Sequence, residues 1–417
     1  MTLAKAKHAM IPKLRFPEFR GDGGWKLETG KSLFRQISDK DHNGDLPVLA
    51  ITQEHGAIPR DLIDYHVTVS SKSVLGYKIV RPGDFIISLR SFQGGIEYSD
   101  YKGLCSPAYV ILREKKDTVA DYFRHIFKSQ TFIRELTKNL EGLRDGKMIS
   151  YKQFCDVSIN LPKKEEQQKI ADCLGSLDDL IAAHSAKLDA LQDHKKGLLQ
   201  KLFPAEGQTT PELRFPGFEG EWGEKKLIKY FPKIRNGFVG TASPFYVSNG
   251  IPYLQGKNIK KGKIDDSGLI FISQAFHEKQ NKSQLKADDI LMVQSGHVGE
   301  CAVVGEDFQG GNCHALIVLT PTKNTSSQFF KHFFYSPSGR ALIDKVKTGN
   351  TIAHILSTDL RKMNVCIPEP LEQQKIAECL SELDEQIEAQ TKQIAALKEH
   401  KQGLMQQLFP NPEGSAA

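Results

Sequence analysis

The sequence predicts an α+β protein in which two mixed α/β domains are separated by a long antiparallel two-helix coiled coil, with an internal pseudo-two-fold repeat. Three observations predict this fold class. A 40-residue segment occurs twice, both copies carry a helical pattern of apolar residues, and the regions before each copy contain short β-favouring runs. A chain of 417 residues is also too long for one ordinary core and suits two domains.

The internal repeat is the strongest of these observations. Residues 165–204 and 371–410 share 22 identities in 40 positions, from a common Glu-Gln-Gln-Lys-Ile-Ala to a common Leu-Phe-Pro. A second piece, Leu-Arg-Phe-Pro, occurs at 14–17 and 213–216 and is followed each time by a tryptophan. The regions between these pieces align only loosely. A closely repeated scaffold with divergent middles predicts two modules that perform the same task on different targets.

Both copies of the repeated segment are predicted to be long helices. Their apolar residues alternate at spacings of four and three, which is typical of a coiled-coil seam, and polar residues interrupt both seams at the same heptad places. The first helix ends where the second module begins, so the second helix must run back if the two pack together. The Leu-Phe-Pro and Leu-Arg-Phe-Pro pieces are adjacent once and split between the chain ends once, which predicts neighbouring termini. The predicted seam comprises Ile170, Leu174, Leu177, Ile181, Leu188, Leu191, Leu198, Leu202, Ile376, Leu380, Leu383, Ile387, Ile394, Leu397, Leu404 and Leu408.

These features predict a division of the chain into six parts. The predicted parts are a first domain with its N-terminal repeat piece over 1–164, a central helix over 165–203, a linker over 204–222, a second domain over 223–370, a C-terminal helix over 371–410 and a flexible tail over 411–417.

Short apolar, β-favouring runs inside the modules predict buried strands, and two longer segments at equivalent places predict helices. The predicted strands are 85–89, 109–112, 290–293 and 316–319, and the predicted helices are 119–138 and 326–346.

Basic charge is concentrated outside the two long helices. The chain has a formal net charge of +6, while residues 165–203 carry −2 and residues 371–409 carry −3, so +11 remains on the rest. A surface that binds phosphates requires such an excess. Charge alone is equally compatible with a mildly basic protein that has no nucleic-acid partner.

Cysteine usage and hydropathy indicate the compartment. The seven cysteines include no CxxC pair, and the chain contains neither a signal-peptide pattern nor 18 consecutive apolar residues. These observations predict a cytoplasmic protein with reduced thiols that does not enter a membrane. His297, Cys301, Cys313 and His314 do not have the spacing of a usual zinc site, so no metal is predicted.

No catalytic motif is complete, and no catalytic residue is predicted. Gly30-Lys31-Ser32 resembles the end of a P-loop, but Trp25 stands where the first glycine belongs. There is no GxGxxG after a strand and no Asn-Pro-Pro-aromatic tetrapeptide, and the Glu-Lys-Lys at 114–116 is too common a tripeptide to indicate a nuclease.

Polar, glycine-flanked loops in both modules carry side chains that hydrogen-bond bases or phosphates. Each loop alone could be an ordinary solvated turn, but together, in a duplicated basic chain, they predict a DNA interface. The candidate DNA-binding residues of the first module are Gln53, His55, Arg90, Ser91, Gln93, Arg144 and Lys147. Those of the second module are Lys257, Asn258, Lys260, Ser295, His297, Lys347, Asn350 and Thr351.

Nearly the whole chain resembles the specificity subunits of type I restriction-modification systems. The resemblance rests on the Glu-Gln-Gln-Lys-Ile-Ala starts at 166 and 372, the two heptad helices, the Gly-Ile-Pro-Tyr-Leu run at 250–254 and the strand and Ser-Gly loop at 291–299. The first module departs from the family's loop pattern at 90–94. The resemblance implies two target-recognition domains, each of which binds one half of an asymmetric bipartite site in double-stranded DNA, with the helices as the spacer.

The same resemblance implies the partners of the chain. These are two methyltransferase subunits, which modify adenine with S-adenosylmethionine, and restriction and translocase subunits, which use ATP and magnesium; the chain itself is expected to hold no cofactor and to be non-catalytic. Two alternatives remain at this point. A stand-alone nuclease or methyltransferase is opposed by the incomplete motifs, and a coiled-coil adaptor without a DNA role is opposed by the basic charge outside the helices.

Overall fold

The computed structural model of the chain describes residues 10–63, 71–115, 118–138, 149–349 and 353–410. The chain divides into two compact units. Unit 1 contains the residues up to Ser185 together with those from Lys392 onward, and unit 2 is Ala186–Thr391. Both divisions fall inside long helices, so each long helix gives one segment to each unit.

Unit 1 combines antiparallel strands with mostly short helices. Its strands are Lys26–Thr29, Phe34–Ile37, Leu49–Thr52, Gly56–Pro59, Lys78–Val80, Phe85–Ile87, Glu97–Tyr98, Gly103–Cys105, Val110–Glu114 and Ser158–Leu161. Its helices are Gly30–Leu33, Ser71–Val74, Ser91–Gly94, Ala120–Ile126, Gln130–Thr137 and Tyr151–Cys155, and the first long helix, Lys164–Lys201, begins in this unit.

Unit 2 also combines strands with short helices, and it has more strands than the described part of unit 1. These are Gly223–Lys226, Lys233–Asn236, Tyr246–Val247, Ile251–Leu254, Ile259–Lys260, Lys263–Ile264, Ile270–Ile272, Ile290–Val293, Cys301–Val303, Asn312–Cys313, Leu316–Thr320 and Asn364–Ile367. Its helices are Gln274–Lys279, Ser327–Tyr335, Pro337–Val346 and Ser357–Lys362, and the second long helix, Pro370–Leu408, begins here.

The central sheets of the two units have the same topology. In unit 1 the four strands that begin at Phe34, Val110, Phe85 and Glu97 are neighbours in that order, and every pair is antiparallel. In unit 2 the order Lys233, Leu316, Ile290 and Cys301 places the equivalent strands in equivalent positions, again all antiparallel. The α+β class and the presence of two repeated domains are therefore confirmed.

The units differ outside this sheet. Unit 2 has a second four-stranded sheet that includes a parallel pair between Ile251–Leu254 and Asn312–Cys313, whereas the described residues of unit 1 form two-stranded ladders in addition to the central sheet. The loosely aligned middles of the sequence correspond to this difference.

The predicted helices 119–138 and 326–346 are each two helices. In the second, Ser336 ends one helix and caps the next, because its hydroxyl accepts a hydrogen bond from the amide of Gly339. Pro337 takes the first helical position, where its missing N–H is not needed. Ser129 caps the equivalent helix of unit 1 through the amide of Phe132. The sequence patterns predicted the helical type but not these breaks.

The two Leu-Arg-Phe-Pro pieces are explained by a repeated ion pair. The guanidinium of Arg15 binds both carboxylate oxygens of Glu166 at 2.8 and 2.7 Å, and Arg214 binds Glu372 at 2.7 and 2.8 Å. The Glu166 and Glu372 side chains are 1% and 3% exposed. A buried carboxylate is costly without a partner, so the arginine of one repeated piece is required by the glutamate of the other.

The glutamine that follows each glutamate joins three elements. Gln167 donates to the carbonyl of Pro162 at 2.9 Å and accepts from the amide of Val119, just before a domain helix. Gln373 donates to Pro368 at 2.9 Å and accepts from the amide of Ser326. These contacts tie the start of each long helix to its domain, so the identities at the helix starts have a structural cause.

Within each unit, the start of one long helix and the end of the other share a core. Ile170 and Leu408 belong to the same buried cluster of unit 1, and further along the first helix Asp178 pairs with Lys401. The residue number rises on one helix as it falls on the other, so the two segments are antiparallel. The cluster of unit 2 that contains Leu202 and Ile376 repeats this arrangement.

All sixteen predicted seam residues are buried or half-buried. The most deeply buried lie near the helix ends, where the helices pack on the domain cores. Nearer the middle, Leu383 and Ile394 are each 8% exposed and the other seam residues are half-buried. The described segments nearest to the two termini are neighbours, as expected, because the amide of Leu14 donates to the carbonyl of Gln407 at 3.0 Å. The amide of Leu213 makes the equivalent bond to Lys201 at 2.9 Å. In the part of the chain that the structure describes, no helix is long and apolar enough to span a membrane.

Unit 1 is expected to lose stability as the pH falls below neutral. Burial lowers the pKa of His125 from 6.5 to about 4, with Lys401 adding to the effect. Below pH 6.5 the His125 imidazole takes up a proton in the unfolded chain, whereas in the folded chain it stays neutral down to about pH 4. Acid therefore favours unfolding between these two pH values. The shift corresponds to roughly 3 kcal/mol.

Urea unfolding at pH 7 and pH 5, followed by Trp25 fluorescence in a Trp222→Phe background, measures this loss. His125→Gln should flatten the pH dependence. If the free energy of unfolding fell equally from pH 7 to pH 5 in the variant and its parent, other groups would be responsible for the loss.

Candidate nucleic-acid interface

The loop after strand Ile290–Val293 is held open by two glycines and one histidine. Gly296 and Gly299 adopt φ of 79° and 84°, a left-handed conformation that favours glycine. The Ser295 hydroxyl lies 2.5 Å from Nδ1 of His354, and the two residues form an isolated β-bridge. His297 is exposed at the tip. The loop thus presents one imidazole to solvent while its serine is anchored.

A second candidate turn closes against this loop. Thr348 and His354 exchange backbone hydrogen bonds of 2.9 and 2.8 Å, and the amide of Ile355 donates to the carbonyl of Gln294. Lys347, which precedes the turn, pairs with Asp344. The predicted contacts Asn350 and Thr351 lie outside the described residues. His354 was not predicted, and nothing in the spacing of its sequence neighbourhood distinguished it.

The third candidate segment, 255–261, lies beside the same loop. A Cβ on Gly256 would lie 3.6 Å from the side chain of Val293, and the amide of Lys261 donates to Glu300 at 3.0 Å. Asn258 is 1% exposed; its side chain accepts from the amide of Gln255 and donates to the carbonyl of Asp265. Asn258 is therefore better placed to shape this turn than to contact DNA.

The two lysines of this segment have different partners. Lys260 forms an ion pair of 2.6 Å with Asp265, and that hydrogen bond, with others from Ser267, holds the pKa of the Asp265 carboxyl well below its usual range. Lys257 is exposed, and its ammonium donates at 3.2 Å to the carbonyl of Gly268. A neutral carbonyl leaves the charge of Lys257 uncompensated, so Lys257 is the better candidate for a phosphate contact.

Tyr246 extends this surface and was also missed by the sequence analysis. It is 38% exposed, and its hydroxyl accepts a hydrogen bond of 3.1 Å from Gln255. Its exposed neighbours Phe245 and Val247 are apolar. An exposed aromatic beside a basic turn can contact bases as well as phosphates. Three separate loops of unit 2 therefore meet on one polar and partly aromatic surface.

In unit 1 the equivalent loop contains one helical turn, Ser91–Gly94, in place of an open loop. Ser91 is 1% exposed, and its hydroxyl accepts from the amide of Ser88 at 2.9 Å, so it supports the turn. Arg90 and Gln93 are exposed. The two loops, which differ in sequence, therefore also differ in backbone structure.

The structure brings a second predicted segment of unit 1 to this turn. The side chain of Gln53 packs over Gly94 so closely that a Cβ there would lie 2.4 Å from it. Gln53 and His55 also line a cleft of about 580 Å³ together with Arg124 and Lys128. These two basic residues were not predicted from the sequence. The predicted contacts Arg144 and Lys147 lie outside the described residues.

The cysteines near the candidate interface of unit 2 do not have the chemistry of metal ligands. Burial raises the pKa of the Cys301 and Cys313 thiols to about 12, which disfavours the thiolate that zinc requires. Among the described residues, no group of three or more His, Cys, Asp or Glu side chains could hold a metal ion.

Residues 25–193 and 219–399 match the family model of the type I restriction modification DNA specificity domain. The chain belongs to this family. The two matched ranges cover both repeated domains and most of both long helices, so the chain is a DNA specificity subunit of the type I restriction-modification class.

Similar proteins carry the same description. The chain is 23% identical over 354 residues to the type I restriction enzyme MjaVIII specificity subunit of Methanocaldococcus jannaschii, covering 82% of this chain and 81% of the relative. The type I S subunit of M. genitalium superposes with a TM-score of 0.58 at 15% identity, covering 96% and 99% of the two chains. A chain from a structure described as the basis of complex assembly and conformational transition of the type I R-M system superposes with a TM-score of 0.54 at 18% identity. The match covers 93% of this chain and 98% of the other. The two solved structures share the fold of this chain.

Replacing Lys257 by alanine tests the basic turn. If its ammonium contacts a phosphate, Lys257→Ala should weaken binding to all DNA sequences similarly and reduce the slope of log K against log salt by about one unit. Lys260→Ala is the matched control, because that ammonium already has a carboxylate partner. Affinity and slope would be measured by titration over a range of salt concentrations. An unaltered slope in Lys257→Ala would make Lys257 an ordinary surface lysine.

Proposed function

We propose that each domain reads one half of an asymmetric bipartite DNA site and that the two long helices, paired as an antiparallel coiled coil, set the distance between the halves. The observation that carries this proposal is a central sheet of identical topology in both units that bears unlike loops. Identical scaffolds give both domains the same way of approaching DNA, while unlike loops give them different base contacts.

The partners in this proposal supply the chemistry. Two methyltransferase subunits with S-adenosylmethionine and restriction and translocase subunits with ATP and magnesium act where this chain binds in the cytoplasm. The chain alone holds no cofactor and neither methylates nor cleaves DNA. The similarity to a chain from a type I complex supports association with such subunits. A coiled-coil adaptor without a DNA role does not account for membership of a DNA specificity family.

Exchanging one domain tests the separation of the two readers. Replacing residues 46–150 by the corresponding segment of a relative should change one half of the methylated site and leave the other half unchanged. Methylated adenines would be mapped genome-wide in cells that carry the parent, the exchanged chain or neither. A matched exchange within 223–370 should change the opposite half. A simultaneous change of both halves after a single exchange would contradict independent reading.

A further inference from the structure

Asp178 and Asp384 occupy equivalent places on the two long helices, and each binds a lysine of the other helix within its own unit. Asp178 pairs with Lys401 at 2.5 Å in unit 1, and Asp384 pairs with Lys195 in unit 2. The two lysines are also repeat equivalents, and they form one of the two pairs of polar residues that interrupt the predicted apolar seams, the other being His184 and Gln390. The lysine that interrupts each seam therefore has a carboxylate partner on the other long helix.

A buried histidine of the adjoining domain helix approaches each aspartate. Nδ1 of His125 lies 3.8 Å from Asp178, and Nε2 of His332 lies 3.9 Å from Asp384 and 3.2 Å from the hydroxyl of Ser381. The histidines are only 4% and 1% exposed. Burial lowers the pKa of both, so they pack as neutral rings at pH 7. Each aspartate thus contacts both long helices and the domain that rests on them.

We propose that these two Asp–Lys–His sets fix the register of the paired helices relative to each domain, and with it the separation at which the two half-sites are read. This inference rests on the proposed spacer role of the helices. A seam of leucine and isoleucine tolerates a slip of one heptad, because apolar residues again face apolar residues. A slip of one heptad would move Lys195 and Lys401 from their aspartates to places opposite either Ala377 and Ala171 or Thr391 and Ser185, none of which carries a charge. A largely buried charge without a partner is strongly disfavoured.

The burial of the unit 2 set shows that it is more than a solvated surface pair. The side chains of Lys195 and Asp384 are 21% and 17% exposed. Lys331 of the domain helix, 9% exposed, adds a second bond of 3.2 Å to Asp384. Burial lowers the pKa of Lys331, whereas the charge and hydrogen bond of the Asp384 carboxylate favour its ammonium form. Removing the Asp384 carboxylate therefore leaves two lysines without their partner.

Unit 1 lacks this second lysine. Arg124 occupies the equivalent place but lies over the ring of Tyr98 at 5.0 Å and pairs with Asp100 at 3.3 Å. The Asp178 side chain is also more exposed, at 45%. Charge reversal should consequently have different outcomes in the two units.

The test measures how sharply DNA spacing is selected. Duplexes carrying the mapped site with spacers from a few to a dozen base pairs would be bound by the full chain. The readout is the ratio between the affinity for the duplex with the best spacer and the affinity for duplexes whose spacer is one base pair longer or shorter. Asp178→Lys and Asp384→Lys should each lower this ratio several-fold. Adding Lys401→Glu to Asp178→Lys should restore it, whereas adding Lys195→Glu to Asp384→Lys should not, because Lys331 would still face an ammonium.

Three controls separate the possible failures. Glu378→Lys changes an exposed helix residue whose nearest cation, Lys375, is 3.8 Å away on the same helix, and should leave the ratio unchanged. Asp178→Asn, which keeps the shape of the side chain, serves if Asp178→Lys does not fold and should lower the ratio in the same direction. Duplexes with a single half-site report DNA reading alone. Parent chain that binds no half-site would refute the proposed function, whereas folded aspartate variants with normal half-site binding and an unchanged ratio would refute the register proposal.

Discussion

Inserting one heptad after Ala183 and another after Ala389 is expected to lengthen the preferred DNA spacer by about three base pairs. Seven residues add about 10.5 Å to a helix at 1.5 Å per residue, and B-DNA rises about 3.4 Å per pair. Both alanines are exposed, and they are repeat equivalents, so the insertions preserve the seam and the ends that pack on the domains. A methylation assay across substrates of graded spacer length measures the new optimum.

The best affinity of the lengthened chain should nevertheless fall. Three added pairs rotate one half-site by about 100° relative to the other, because B-DNA has about 10.5 pairs per turn, so either the DNA or the protein must twist. A two-residue insertion in one helix is the control and should be more harmful, since it breaks the spacing of four and three. An unchanged optimum in an active, folded heptad variant would show that the long helices do not set the distance.

Phe409→Ala is expected to destabilise unit 1 by about 3 to 5 kcal/mol, although it lies near the far end of the sequence. Phe409 is 2% exposed, belongs to the same buried cluster as Trp25 and packs against the ring of Tyr122 at 5.8 Å. Its repeat equivalent, Phe203, packs against Trp222 at 6.3 Å in unit 2. The chain has two tryptophans, one in each unit, and each therefore reports on its own core.

Urea unfolding followed by Trp25 fluorescence in a Trp222→Phe background measures the stability of unit 1. Phe203→Ala, followed through Trp222 in a Trp25→Phe background, should destabilise unit 2 by a similar amount. If Phe409→Ala left the Trp25 transition in place, the C-terminal segment would not belong to the core of unit 1.

The repeat made the scaffold predictable from sequence. Identities survive where buried groups require each other, as for Arg15 with Glu166 and for Gln167 with Pro162, so comparing the chain with itself identified these segments. Strands such as Ile290–Val293 were predictable because a short apolar run bounded by polar residues is typical of a buried strand. The helix break at Ser336 was not, because a capping serine looks like any other polar residue until its partner amide is known.

The candidate interface was less predictable because its contacts join residues far apart in the chain. The pairing of Ser295 with His354 spans 59 positions and follows no sequence spacing. Asn258 and Ser91 had the polar chemistry of a DNA contact, but burial directs them to neighbouring backbone amides. Composition and loop position can identify a polar segment, whereas the direction of each side chain depends on the packing beneath it.

The division of the long helices between the units has a consequence for synthesis on the ribosome. Unit 2 is one continuous stretch, Ala186–Thr391, and can close as soon as that stretch has been made. Unit 1 begins before unit 2 in the chain, but its core still lacks Leu408 and Phe409, which are made only after all of unit 2. Of the two units, the one that begins first is therefore completed second, and its aromatic core lacks the ring of Phe409 while unit 2 is being made.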